Sequence, residues 1–256
     1  MRKQVFIYAF LFGVTFFSFI SCEVEEDNNN NNNNNNTQLQ TGSVTDIDGN
    51  VYSTVVLGTQ EWMTQNLRVT KYNDGVQIPL VEASTGWDNA GAAFCWYDNN
   101  ESAYKNILGG LYNWYAVETM KLCPTGWSVP TYAEYVVLEE YLIANGYNYD
   151  NTTTGNKIAK AMAGISYWYA STDEGVPGNT DYSDKRNKSF LNAHPGGFRG
   201  ATGGIFSSIE RLGAWWLASY NPNNGNGWFF EINFNSTNVP LGTTAKSQGY
   251  SIIPNR

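Results

Sequence analysis

Nine consecutive asparagines, Asn28 to Asn36, divide this 256-residue chain into parts that cannot share a core. The amides of that run, with Glu23, Glu25, Glu26 and Asp27 before it, offer no apolar surface, and apolar burial is what offsets the loss of chain entropy on folding. Residues 22–40 therefore read as a solvated tether. Ahead of it, Arg2 and Lys3 precede an apolar run from Val5 to Ile20. At about 16 residues this run is shorter than the roughly 20 a membrane span needs, so residues 1–21 read as an export signal that is cleaved. Behind the tether, residues 41–256 continue without a second low-complexity break. That length suits one domain able to bury about 70% of its unfolded surface.

The signal ends in Phe19-Ile20-Ser21-Cys22, which resembles a bacterial lipobox, with Phe19 where leucine is usual. The resemblance implies that Cys22 is lipid-modified and anchors the chain in a membrane. The acidic tract directly after it resembles the surface-export signal of Bacteroidetes lipoproteins, which implies the outer face of the outer membrane.

Composition removes several chemistries. The chain has one histidine, His194, so no site built on several imidazoles can form, whether triad or zinc cluster. With 15 basic against 23 acidic residues, a net charge of −8, and no basic cluster beyond Lys185-Arg186-Asn187-Lys188, a nucleic-acid backbone finds little to neutralise it. Hydrolysis by two carboxylates needs no histidine and survives this filter. Glu139 and Glu140, however, are neighbours on a predicted helix and point about 100° apart. The run Asp46-Ile47-Asp48-Gly49 is similar to the start of a calcium loop but lacks the later bidentate glutamate, so it reads as a turn. No cofactor or metal is expected.

Local patterns give an outline of the fold. A hairpin is predicted with Asp48-Gly49-Asn50 as its turn and β-branched residues in its arms, running to Trp62. A short helix is predicted within Gly109–Glu118. A stronger one starts at the capping box Thr131/Glu134 after Pro130, carries apolar residues at 135, 138 and 142, and stops at Gly146. A third helix is predicted within Gly155–Gly164. Residues 171–189 are polar enough to be a long surface loop. Ala214–Ser219 and Gly227–Phe234 read as strands joined by the turn Asn221–Asn226, and Gly249–Ile253 as a last strand. Helices in the middle and strands at both ends predict an α+β domain whose termini pair in one sheet.

Seven blocks in order carry a family resemblance: Val56 to Leu67, Phe94 to Asn99, Gly110 to Trp114, Leu122 to Tyr135, His194 to Arg199, Trp215 to Ser219 and Gly249 to Ile252. Together they closely resemble the Fibrobacter succinogenes major paralogous domain, a family of bacterial surface and secreted proteins. That family is similar to the C-type-lectin-like fold, which also houses formylglycine-generating enzymes with a comparable Pro-Thr-x-x-Glu helix start, here Pro130 to Glu134. The resemblance implies a single C-type-lectin-like α+β domain, two or three helices on mixed or antiparallel sheets with long loops. It brings no reaction with it. Family members often end in a cysteine where this chain has Pro254, so with Cys22 lipidated only Cys95 and Cys123 remain to pair. A disulfide closing a loop of about 28 residues and worth about 3 kcal/mol is expected in an oxidising envelope, the alternative being two buried thiols. Neither cysteine neighbours a histidine, so a nucleophilic role is not expected.

The aromatics divide in two. Trp62, Trp114, Trp127, Trp215 and Trp216 lie in the family blocks and read as core. Tyr167, Trp168, Tyr169, Tyr182 and Trp228 flank polar stretches, where exposed rings beside Asn and Asp suit stacking on sugar rings. Lectin-type calcium motifs are absent from the sequence, Asn221-Pro222-Asn223 being only a remote echo. His194, before Pro-Gly-Gly, reads as a turn residue, and Arg199 as a candidate partner for a buried acid. The expectation is a non-catalytic, lipid-anchored surface protein that binds glycan or another surface protein through loops Ile165–Ser189 and Asn221–Gly227. An enzyme acting on envelope or dietary polysaccharide and a structural adhesin or pilus-type subunit are the alternatives.

Overall fold

A computed structural model describes residues 41–256; the expected export signal, the expected lipidation site at Cys22 and the expected tether lie outside the described residues. In chain order the elements are β1 (Thr41–Thr45), β2 (Val51–Leu57), β3 (Gln60–Met63), α1 (Ser84–Trp87), β4 (Phe94–Cys95), α2 (Glu101–Leu108), β5 (Leu111–Asn113) and α3 (Trp114–Val117). There follow α4 (Tyr132–Ala144), α5 (Ala159–Met162), β6 (Phe198–Arg199), β7 (Phe206–Ser207), β8 (Leu212–Tyr220), β9 (Gly227–Asn233), β10 (Leu241–Thr244) and β11 (Gly249–Tyr250). The strands form three antiparallel sheets, ordered β1-β2-β3, β10-β9-β8 and β4-β5-β11-β6-β7. The α+β class stands, with five helices among the described residues where two or three were expected.

β8 organises the interior. Its sequence, Leu-Gly-Ala-Trp-Trp-Leu-Ala-Ser-Tyr, lacks polar alternation because both faces are covered. Successive side chains point to opposite faces, so Trp215 and Trp216 enter different cores. Trp216 joins Tyr52, Met63, Trp96, Tyr112, Trp114 and Tyr250. Trp215 joins Trp62, Tyr135, Leu138, Leu142 and Phe230 beneath α4. There Tyr135 and Trp215 both stack on Phe230, with ring centroids 4.5 and 5.1 Å from it. Each buried indole N–H has an acceptor, Asn66 Oδ1 for Trp215 and the Tyr112 carbonyl for Trp216, both at 2.8 Å.

The capping box forms as predicted: Thr131 accepts from the Glu134 amide at 3.2 Å and Glu134 accepts from the Thr131 amide at 2.7 Å. α2 is too short for its apolar face to stand out in the sequence: Leu108 is buried and Tyr104 meets Tyr97 edge-on at 5.4 Å. Its start and surface add to this, with Asn100 accepting from the Ala103 amide and Glu101 pairing with Lys105 at 2.7 Å. The polar stretch 171–189 is irregular but fastened: buried Lys160 donates to the Asn179 and Asp181 carbonyls and pairs with the Asp181 carboxylate at 2.7 Å. Contrary to expectation, the first and last strands do not share a sheet: β1-β2-β3 stands apart and β11 lies between β5 and β6, and the two ends of the domain meet where Glu61 and Arg256 exchange backbone hydrogen bonds at 3.0 and 2.9 Å.

The expected Cys95–Cys123 disulfide does not form; both are buried free thiols. The reason is strand parity. Phe94 shares the first core with Cys123, so its neighbour Cys95 must point to the opposite face of β4, where it packs with Trp87, Tyr97 and Leu111. Burial pushes the Cys95 thiol up to about 12 and raises that of Cys123 as well, which keeps both protonated and unreactive.

Candidate functional site

The five aromatics singled out in the sequence stand as follows. Tyr167, with φ 70° in the left-handed region, is exposed and sets its ring edge against His194, centroids 5.3 Å apart. Trp168 is half-buried against the second core, its indole N–H without a partner among the described residues. Tyr169 is exposed and lies under the Arg211 guanidinium. Tyr182 packs on Tyr149 at 5.1 Å and donates its hydroxyl to Glu174. Trp228 leans on Tyr132 of α4 at 4.8 Å and packs on the second core. None of the five lines the groove described next.

That groove, of about 370 Å³, is lined by Trp114, Glu118, Met120, Ala218, Tyr220, Gly225 and Lys246. Its floor is the Trp114 indole, placed by local hydrogen bonding. Asn113 Oδ1 accepts the Ala116 amide at 3.1 Å and so starts α3, while the Trp114 ring nitrogen donates to the Leu217 carbonyl at 3.0 Å. β9 passes against this ring at Gly227, where a Cβ would fall 2.3 Å from Trp114 Cδ1. Tyr220, at the end of β8, meets Trp114 edge-on at 6.4 Å and is 59% exposed.

Opposite lies Met120, 70% exposed with φ 59°. A left-handed backbone at a residue with a side chain costs of the order of 1 kcal/mol, and such strain concentrates at functional positions. Lys246 completes the wall: its ammonium sits 4.4 Å over the Trp114 ring and pairs with Glu118 at 2.8 Å. The asparagine-rich turn beside the groove is held by its own side chains, Asn221 Oδ1 accepting from the Asn223 amide and Asn224 Oδ1 from the Asn226 amide. The result is an open cleft with an aromatic floor, two exposed apolar lips and one ion pair. It has the chemistry of a binding cleft for a ligand with both apolar and hydroxyl faces.

Other candidates resolve into structure. Asp46 accepts from the Asp48 and Asn50 amides, the Asn50 side chain and the Tyr52 hydroxyl, so Asp-x-Asp-Gly is a hydrogen-bonded turn. Arg199 is fully buried and has no acid; it donates to the Val81, Glu82 and Gly204 carbonyls between Trp87 and Phe206. His194 is half-buried against Asn192, and burial lowers its pKa. Glu139 is also half-buried, its carboxyl raised by desolvation, while Glu140 beside it is exposed. Of the groove, sequence reasoning found the neighbouring turn and classed Trp114 as core; Met120, Tyr220 and Lys246 carried no pattern that would have marked them.

The profile of the Fibrobacter succinogenes major domain matches residues 55–252. The chain belongs to this family. Every residue of the groove lies inside the Fibrobacter succinogenes major domain, and Cys22 and the asparagine run lie before it. No curated protein and no solved structure matches the chain.

Proposed function

We propose that this protein is a non-catalytic binding protein of the outer-membrane surface. In this reading it is anchored by lipid at Cys22, carries a divergent C-type-lectin-like domain, and takes glycan chains in the Trp114–Tyr220 groove. The observation that carries the reading is the pair of exposed apolar lips, Tyr220 and Met120, held over a buried indole beside the Glu118–Lys246 pair. Sugar rings present apolar C–H faces to aromatics and hydroxyls to charged groups, and this groove offers both. It is lined by a single carboxylate, whereas glycoside hydrolysis ordinarily uses two, which favours binding over cleavage. A net charge of −8 argues against nucleic acid as the ligand.

The test is retention of the detergent-solubilised full chain on a panel of neutral polysaccharides, compared with Tyr220→Ala and Met120→Ser. Removing either lip is expected to weaken retention by about 5- to 30-fold, the worth of a buried aromatic or apolar contact of 1–2 kcal/mol. Absence of any retained glycan, retention unaltered in both variants, or release of reducing ends would overturn the proposal.

A further inference from the structure

We propose that Arg211, held over the Tyr169 ring beside Phe234, is a second binding site, separate from the groove, that takes the carboxylate of an acidic sugar. The guanidinium carbon lies 3.8 Å from the Tyr169 ring centroid and 5.3 Å from that of Phe234, and the two rings meet edge to face at 5.5 Å. The backbone builds this arrangement: the Tyr169 amide donates to the Glu210 carbonyl at 2.7 Å and the Phe234 amide to the Arg211 carbonyl at 2.9 Å. Gly178 joins two of these segments, those carrying Tyr169 and Phe234. Its amide donates to the Phe234 carbonyl at 2.8 Å, and a Cβ there would fall 2.3 Å from the Tyr169 carbonyl oxygen. Glu210, just before the arginine, has φ 64°, so the turn that presents Arg211 is held against its own backbone preference.

What the arginine lacks is an acid. Lys71, Lys105, Lys121, Lys157, Lys160, Lys246 and Arg256 pair with carboxylates, whereas Arg68, Lys185, Arg186, Lys188, Arg199 and Arg211 have none within ion-pair distance among the described residues, and of these six Arg211 alone is exposed. In a chain with 23 acids to 15 bases, an exposed guanidinium fixed by two rings and left without a partner is a prepared site. Stacking leaves the N–H edge of the planar fork free, and two parallel N–H groups match a carboxylate bidentately. Because the fork is already immobilised, less side-chain entropy is lost on pairing than at an ordinary surface arginine. Tyr169 and Tyr167, both exposed on the same segment, supply aromatic surface for the ring that bears the acid. A uronic acid combines an apolar ring face with a carboxylate. The excess negative charge elsewhere acts weakly here, since it is screened beyond about 8 Å at physiological salt.

The experiment measures binding of the detergent-solubilised full chain to polygalacturonate, to the same polymer fully methyl-esterified, and to poly-L-glutamate. Polygalacturonate is expected to bind about tenfold or more tightly than either of the others, and Arg211→Gln to lose about tenfold. Arg211→Lys keeps the charge without the fork and should fall between. Thermal melts of both variants verify folding, and if Arg211→Gln melts early, the lysine variant and the ester comparison decide. Equal binding of the ester refutes a carboxylate site, and equal binding of polyglutamate refutes a sugar site. Wild-type affinity in Arg211→Gln, or no binding of polygalacturonate, refutes the assignment to Arg211. All of these comparisons are made in a Tyr220→Ala background, so that retention of the neutral ester by the Trp114 groove does not enter them.

Discussion

Replacing Gly227 with alanine tests how the groove floor is built, because two opposing effects are separable in size. Gly227 lies in β9, paired with Tyr220 and Thr244, and alanine in place of a strand glycine ordinarily gains about 0.5–1 kcal/mol from the unfolded state. Here the new methyl would sit 2.3 Å from Trp114 Cδ1 and 2.7 Å from Cγ and Nε1. The indole cannot swing aside without breaking its 3.0 Å bond to the Leu217 carbonyl. Overpacking costs about 1–3 kcal/mol, and the loss of that hydrogen bond about 1 kcal/mol more. The clash therefore outweighs the entropy gain, and Gly227→Ala is expected to destabilise by roughly 1–3 kcal/mol. For a domain of this length that is a fall in melting temperature of about 2–12 °C. The assay is thermal and urea unfolding followed by tryptophan fluorescence. In a Trp114→Leu background the same alanine should cost little, giving a coupling of about 1 kcal/mol or more. An unchanged or raised melting temperature in Gly227→Ala, or strict additivity with Trp114→Leu, would refute the close approach of β9 to the ring.

Two further predictions concern titration and redox state. Alkylation in denaturant without reductant, followed by peptide mass measurement, should label both Cys95 and Cys123; a linked peptide pair would contradict their placement on opposite faces of β4. Burial lowers the His194 pKa in the folded state, so the unfolded chain binds more protons below about pH 6.5. Stability should consequently rise with pH up to that value and then level, and His194→Gln should flatten the slope. A slope as steep in the variant as in the wild type would assign it to the carboxylates.

The parts of the fold legible in the sequence are those whose signal is local. The α4 capping box satisfies its own orphan amides within four residues, and the Asp46 turn is closed by its own carboxylate, so both can be read without knowing the rest of the chain. The strands β8 and β9 are likewise marked by runs of aromatic and other apolar residues around an asparagine-rich turn. α2 escaped reading because its stripe of Tyr104, Ile107 and Leu108 spans only eight residues, too short a window for the period to stand out. The disulfide expectation failed for a different reason: three cysteines restrict which pairs are conceivable, whereas strand parity in β4 and the partition of the interior by Trp215 and Trp216 determine which side chains meet.

By itself the sequence determined the α+β class, the family blocks and the absence of multi-histidine chemistry. All of these depend on composition or on neighbours close in the chain. Only the tertiary structure decided which aromatics are floor and which are lip. Trp114 meets Tyr220 and Lys246 across more than 100 residues of chain, and Arg211 is held against rings from positions 169 and 234. Whether a ring ends as core or as surface depends on which distant backbone passes over it, and at Gly227 one missing methyl group allows that passage.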